Sequence, residues 1–406
     1  MREPKVCELG GKGVSLVKLT RGGFCVPEGF IVMSTGFDEY LHSCDLITRV
    51  EKEPGNISEK RALILSLFAE TPVQRELVNS IQTMLDKINS NPSLPTPLLA
   101  VRSSGVTEDL DEASFAGMND TILNVPTKAD DVCEAIKKCW LSLYGKRSIV
   151  YRQENGFPPY NTSIAVVVQV MIPSEASGVV FTSDPQTGSR GEISLDGVQG
   201  LGESLVSGMV DADHWLIRKP YNKRKMFVED SRIGRQQFKL VSNYPQPGTT
   251  RINLSEERGK TPTFTQQQIE EITQTACKIE EYYMKPMDIE FCFYHSTLYI
   301  VQARPITNCH VIPDYLNPLL NKNNPEWSLW VSFNSIQMVS TPITPAGVTT
   351  LQTLIGVGDK YITSVSGYLY VNFGGLLTIS FIRKKFLNTL VDLVDKEIGR
   401  VSLVYW

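Results

Sequence analysis

The residues best equipped for chemistry fall into three groups: Gly10-Gly11-Lys12-Gly13, Arg102 with its small neighbours, and the stretch from Asp288 to Arg304. In the first, small residues let backbone amides approach an anion, and Lys12 adds a point charge suited to phosphate. By itself the run reads more simply as a surface turn with a solvated lysine. In the second, Arg102 ends the apolar run LLAVR and is followed by Ser103, Ser104 and Gly105, with another compact loop at Ser114-Phe115-Ala116-Gly117. Two such loops around one arginine suit a lid over polyphosphate, although an arginine in that position usually makes a structural ion pair. In the third, DIEFCFY–HST–LYIVQAR reads as a β-hairpin. A three-residue turn at His295-Ser296-Thr297 would pair Glu290 with Gln302 and Asp288 with Arg304, roughly 5 Å apart at Cβ. The carboxylate and carboxamide oxygens would then be hard ligands for Mg2+. Arg304 on the same face could offset charge on a transferring phosphoryl group. A solvent-facing polar stripe is the alternative, and a two-residue turn would shift the register and dissolve the pairing.

Turn signals and periodicity supply the elements that must carry these groups. A Gly-rich turn at 10–13 leads into an amphipathic stretch, Val14–Leu19, and Val26-Pro27-Glu28-Gly29 turns the chain into a strand at FIVM. Residues 59–90 read as two helices split at Thr71-Pro72, with Thr71 as N-cap and Gln74 closing a capping box. NPSLPTP (91–97) is a linker ahead of the LLAVR strand, and Thr121–Val125 returns as another strand. Helical periodicity covers 128–152, strands are expected at 164–171 and 177–182, and Thr265 should cap a helix over 266–284 before the hairpin. Three prolines and several asparagines in 308–326 mark an interdomain linker, and a new unit begins at 327.

The length, 406 residues, calls for two or three structural units. A formal net charge of −4 gives no global field for nucleic acid or anionic lipid, so neither is an expected partner. The apolar run IAVVVQVMI is too short to span a bilayer, and MREPKVCELGGKG lacks the apolar segment of a secretory signal. Eight cysteines without a C-x-x-C pair fit neither a zinc site nor a disulfide scaffold. A reduced, cytoplasmic protein is expected.

Five motifs then occur in one order: GGKGVSLVKL with VPEGF, AVRSSGVTEDLDEASFAGMNDTILNV, QVMIPSEASGVVFTSDPQTG, GLGESLVSG, and DIEFCFYHSTLYIVQARPIT. Together they resemble the nucleotide-binding domain shared by pyruvate phosphate dikinase, phosphoenolpyruvate synthase and rifampicin phosphotransferase, across roughly residues 1–310. The resemblance implies an α+β fold of the ATP-grasp type over 1–307, with subdomains of about 1–190 and 191–307. It implies that ATP is bound with Mg2+, that Lys12, Arg102 and Arg304 contact phosphates, and that Gly117 and Thr121 belong to the covering loop. Gln169 would lie at the adenosine end, and Glu290 and Gln302 would hold the metal. For Ser204 and Ser207 a structural role in a tight Gly-bounded turn is expected.

Family members split ATP to AMP, pass the β-phosphate through a histidine on a swivelling domain, and release the γ-phosphate. Here the only histidines are His42, His214, His295 and His310, none in a Gly-rich TSHAAI-like context. All four read as ordinary surface, turn or core residues. NPEWSLWVSFNSIQMVSTPITPAGVTTLQ instead resembles the start of the acceptor-binding domain of rifampicin phosphotransferases, so 327–406 would be an incomplete second domain and the chain a truncated one. The expectation is an ATP-dependent phosphotransferase whose histidine phosphocarrier lies outside this chain, acting toward pyruvate, a rifamycin-like antibiotic or another alcohol. An ATP-binding module without a complete catalytic cycle is the alternative.

Overall fold

The computed structural model describes residues 3–91, 98–105, 121–185, 191–219, 227–243 and 248–306, and beyond them the backbone of three strands within 330–372. Helices and antiparallel sheets share the fold, an α+β arrangement. The first part comprises α1 (Val6–Arg21), β1 (Gly29–Val32), α2 (Ser34–Ser43), α3 (Leu46–Lys52), α4 (Ile57–Glu70), α5 (Arg75–Asn89), β2 (Leu98–Gly105), β3 (Thr121–Pro126), α6 (Ala129–Ser142), α7 (Lys146–Glu154) and β4 (Ile164–Val170). Its four strands form one sheet in the order β1-β4-β2-β3. Alternation of side chains places Val32, Leu99, Val101, Val166 and Val168 on the face that packs with Phe37, Tyr40, Phe68, Trp140 and Tyr144. The opposite face carries Ala100, Arg102 and Ser104 from β2 and Val167 and Gln169 from β4.

The chain crosses to a second sheet between Val170 and Ala176, earlier than residue 190. This part holds β5 (Ala176–Phe181), β6 (Glu192–Gln199), a one-turn helix α8 (Glu203–Val206), β7 (Asp213–Arg218), β8 (Phe227–Arg232), β9 (Phe238–Ser242), β10 (Thr249–Asn253), α9 (Gln266–Tyr283), β11 (Met287–Tyr294) and β12 (Thr297–Pro305). Six of these strands form a sheet in the order β12-β11-β5-β6-β7-β8. Val180, Leu195, Trp215, Ile217, Ile289 and Phe291 face α9 and close the second core. Thr265 caps α9 as expected, and a reciprocal pair of bonds with Gln268 completes the capping box. The ribbon β9–β10 leans back on the first sheet, where Asn124 donates to the Gly248 carbonyl and accepts from the Ser242 hydroxyl. Beyond these, β13 (Trp330–Ser332), β14 (Ile362–Val365) and β15 (Tyr368–Asn372) pair antiparallel in the order β13-β15-β14.

Local expectations were corrected at three places. Thr71 ends α4 in an extended conformation, and α5 starts only at Arg75 with no side-chain bond from Gln74. The capping box of this region is Asn56–Glu59, at the start of α4. The 128–152 segment is two helices, interrupted at 143–145. GGKG is not a free turn but lies inside α1, broken at Gly10, where φ is +67°. A Cβ at Gly10 would sit 2.1 Å from the Ser104 carbonyl oxygen, so this close approach to β2 requires glycine. The linker at 91–97 falls, apart from Asn91, outside the described residues, as do the 308–326 linker and the lid around Ser114.

Candidate active site

The site is assembled where β2 of the first sheet meets the β11–β12 hairpin of the second. The hairpin turn has two residues, not three: His295 and Ser296 both adopt positive φ, and Tyr294 pairs with Thr297. That register alone would move Gln302 away from Glu290. A β-bulge between Glu290 and Phe291 leaves Val301 as the extra residue, and the ladder resumes with Glu290 opposite Gln302 and Asp288 opposite Arg304. The expected pairs therefore exist, by a different route.

Arg102 reaches across from β2 to this hairpin. Its Nη2 donates to Gln302 Oε1 at 2.7 Å and to Glu290 Oε2 at 3.3 Å, and its Nη1 donates to the Val301 carbonyl at 3.4 Å. The bulge thus supplies a third acceptor. The two oxygens proposed for a metal converge on one point that a positive group already occupies, which is the donor chemistry a hard cation needs. One row along, Arg304 Nε donates to Asp288 Oδ2 at 2.8 Å. Asp288 is buried, and its desolvation raises its carboxyl above the usual range in spite of the Arg304 charge.

The segment carrying Lys12 is fixed to both sheets. Gly13 N–H donates to Ser104 Oγ at 3.1 Å, two residues from Arg102, and the Ser15 hydroxyl donates to the Ala303 carbonyl, between Gln302 and Arg304. Lys12 therefore stands on the helix wedged between the arginine strand and the carboxylate hairpin. Thr121 lies directly opposite Arg102 in the β2–β3 ladder. Gln169 is diagonal to Arg102 on the same sheet face, because Ala100 pairs with Gln169 and Arg102 with Val167; such diagonal neighbours are roughly 7 Å apart. Gln169 is 3% exposed, and its Nε2 has no hydrogen-bond partner. A buried amide donor without an acceptor is costly and invites a ligand acceptor. Gly117 falls outside the described residues.

Sequence reasoning missed Asp196 and His214. They continue the row that begins Gln302–Glu290, through Val179 to Asp196, His214 and Arg232, all on one face of the second sheet. His214 Nδ1 and Asp196 Oδ1 are 2.8 Å apart, and that bond raises the imidazole above its ordinary value. The signal was present in the alternation of β6 and β7 but needed the strand order to be seen. Ser204 is buried and donates to the Leu201 carbonyl, and Ser207 caps the same turn from outside.

Two layered halves thus bring cationic and acidic groups together beside a helix broken at a glycine. The sequence matches the family described as pyruvate phosphate dikinase, AMP/ATP-binding domain, over residues 6–312, and the chain belongs to that family. It is 33% identical over 378 residues to a rifampicin phosphotransferase of Bacillus subtilis, covering 89% of this chain and 41% of that protein. A rifampicin phosphotransferase of Bacillus cereus is 34% identical over 395 residues, covering 94% and 42%. A probable phosphoenolpyruvate synthase of Archaeoglobus fulgidus is 35% identical over 311 residues, covering 74% and 40%. The chain spans about two fifths of the length of these relatives. Among the described residues no helix is long and apolar enough to cross a membrane, and no disulfide joins their seven cysteines.

Proposed function

We propose that this chain is the nucleotide-binding part of a dikinase-type phosphotransferase, closing as an ATP-grasp fold on Mg-ATP. The observation that carries the reading is the meeting of Arg102 with Glu290 and Gln302 across the two sheets. Lys12, Arg102 and Arg304 would bind phosphate oxygens, Thr121 and Gly117 would belong to the covering loop, and Gln169 would take an acceptor of the adenine through its unpaired amide. Glu290 and Gln302 would hold Mg2+, which when bound neutralises phosphate charge. The protein's own cations would orient the triphosphate and exclude water from it.

The ATP-grasp unit would cover 1–307, followed by a linker at 308–326 and an acceptor-binding domain from 327. Transfer would proceed through a histidine carrier elsewhere in the full-length protein, releasing AMP and phosphate, toward pyruvate, a rifamycin-like antibiotic or another alcohol. Calorimetric titration of Mg-ATP tests the site: Arg304→Ala and Glu290→Ala should each weaken binding at least tenfold, and undiminished affinity in both would sink the assignment.

A second reading, a nucleotide-binding module that does not turn over alone, is favoured by the histidines. His214 is engaged by Asp196, and His295 sits in the hairpin turn with its ring tilted against Tyr294. Incubation with ATP and candidate acceptors separates the two, since AMP release supports the enzyme and no turnover supports the module.

A further inference from the structure

The metal pair of the proposed site already faces a cation, and the cation belongs to the protein. Arg102 is the more buried partner, with 11% of its side chain exposed against 30% for Glu290. Its guanidinium is permanently charged, so it cannot yield by losing a proton. It spends Nη2 on both oxygens, Glu290 Oε2 and Gln302 Oε1, and Nη1 on the carbonyl that the Val301 bulge turns toward it. A divalent ion on the same two oxygens would stand about 4 Å from this charge, where repulsion far exceeds thermal energy even at an effective dielectric of about 20. Asp288 offers no free alternative, because Arg304 holds it.

Resting on the reading of Glu290 and Gln302 as metal ligands, we propose that Arg102 is the resident counter-cation of that pair. It excludes free divalent metal from the nucleotide-free protein. Metal enters with a polyphosphate, whose oxygens offer the guanidinium a bidentate partner and draw it off the hairpin. The same contact ties β2 to β12, so the ligand replaces a protein bridge between the two sheets rather than filling an open gap. Arg102 thereby sets the order of binding as well as contacting phosphate.

Mn2+ is the probe, read by electron paramagnetic resonance on nucleotide-free protein whose fold is checked by circular dichroism. Wild type should bind it no tighter than millimolar, Arg102→Gln should bind at least tenfold tighter, and Arg102→Gln with Glu290→Gln should lose the gain. Equal binding by wild type and Arg102→Gln overturns the counter-cation role, and leaves the metal ligands standing if Glu290→Gln still weakens capture of Mn2+ with ATP. If Glu290→Gln captures Mn2+ with ATP as wild type does, the metal reading itself fails and takes this inference with it. A second measurement needs no variant to fold: in arginine-labelled wild type, the guanidinium resonance bonded to Glu290 should stay in place on adding MgCl2 alone and move on adding Mg2+ with a non-hydrolysable ATP analogue. Movement with MgCl2 alone overturns the proposal.

Discussion

The two sheets contribute to one site in opposite ways. The two central strands of the four-stranded sheet are buried on both faces: all seven residues of β4 are buried, and only Arg102 interrupts the buried run of β2. On the face opposite its core the polar side chains of these two strands are few, Arg102, Ser104 and Gln169 among Ala100 and Val167. The six-stranded sheet separates its roles by face. One face is core, and along the other runs a polar row of Gln302, Glu290, Asp196, His214 and Arg232, broken only by Val179. The first sheet brings a cation and an unpaired donor; the second brings that cation's acceptors, with Arg304 beside them bonded to Asp288. Strands buried on both faces can spare few polar groups, and Arg102 finds its partners on the other half, whereas an open row can satisfy its own members, as Asp196 and His214 do.

If the halves are this distinct, they should fail separately. Trp140 is fully buried against Phe37 and Tyr40, at ring distances of 5.3 and 5.0 Å. Trp140→Ala should destabilise the first core by about 3–5 kcal/mol. Hydrogen exchange should then show lost protection in β2 and β4 while β5 and β6 keep theirs. Equal loss in both would mean that the halves unfold as one cooperative unit and that the contrast is only one of composition.

Gly10→Ala attacks the join instead of a core. The added methyl meets the Ser104 carbonyl at a positive φ, so α1 must shift off β2 at an expected expense of about 1–3 kcal/mol. Because α1 carries Lys12 between both sheets, Mg-ATP affinity should fall with stability. A variant with lower melting temperature and unchanged affinity would show that the placement of Lys12 does not matter to binding.

How far the sequence made this site legible depends on the kind of information each residue needed. The Glu290–Gln302 pairing was readable because strand alternation is local, yet its mechanism was not: the two-residue turn and the Val301 bulge cancel, and neither leaves a mark in residue types. The α+β class came with the family resemblance of the five motifs, and the helices and antiparallel sheets bear it out. GGKG looked like a loop because glycine is a poor helix former, and only the tertiary contact with Ser104 explains a helix broken there. Thr71-Pro72 carried good capping types that the chain used only to end α4, while Asn56 served as the true cap. His214 could not be placed beside Asp196 without knowing that β6 and β7 are neighbours in the sheet.

Gln169 gives a test in which stability and binding should move in opposite directions. Its Nε2 is buried without a partner, so Gln169→Leu removes a desolvated donor and should leave nucleotide-free stability unchanged or raise it by about 1 kcal/mol. Nucleotide affinity should fall about tenfold if that amide serves an acceptor of the ligand. Urea unfolding and calorimetry on the same variant read both effects. A drop in stability would mean that the amide is serving the fold and not the ligand.

The smallest effect belongs to the pair that the second sheet satisfies by itself. Asp196 raises the His214 imidazole, chiefly through their hydrogen bond, while partial burial and then Arg232 oppose it and Asp184 adds to it. A histidine raised on folding binds its proton more tightly in the native state. Its stabilisation is therefore fully present below the unfolded value near 6.5 and disappears as pH rises through the higher folded value. Both side chains are about a third exposed, at 35% and 31%, so solvent screening holds the difference to a few tenths of a kcal/mol. Urea midpoints of wild type and Asp196→Asn should thus differ slightly at pH 5 and approach each other by pH 9. If they diverge with rising pH instead, the imidazole is held neutral in the fold, and the row from Glu290 to Arg232 is not satisfying its own charges.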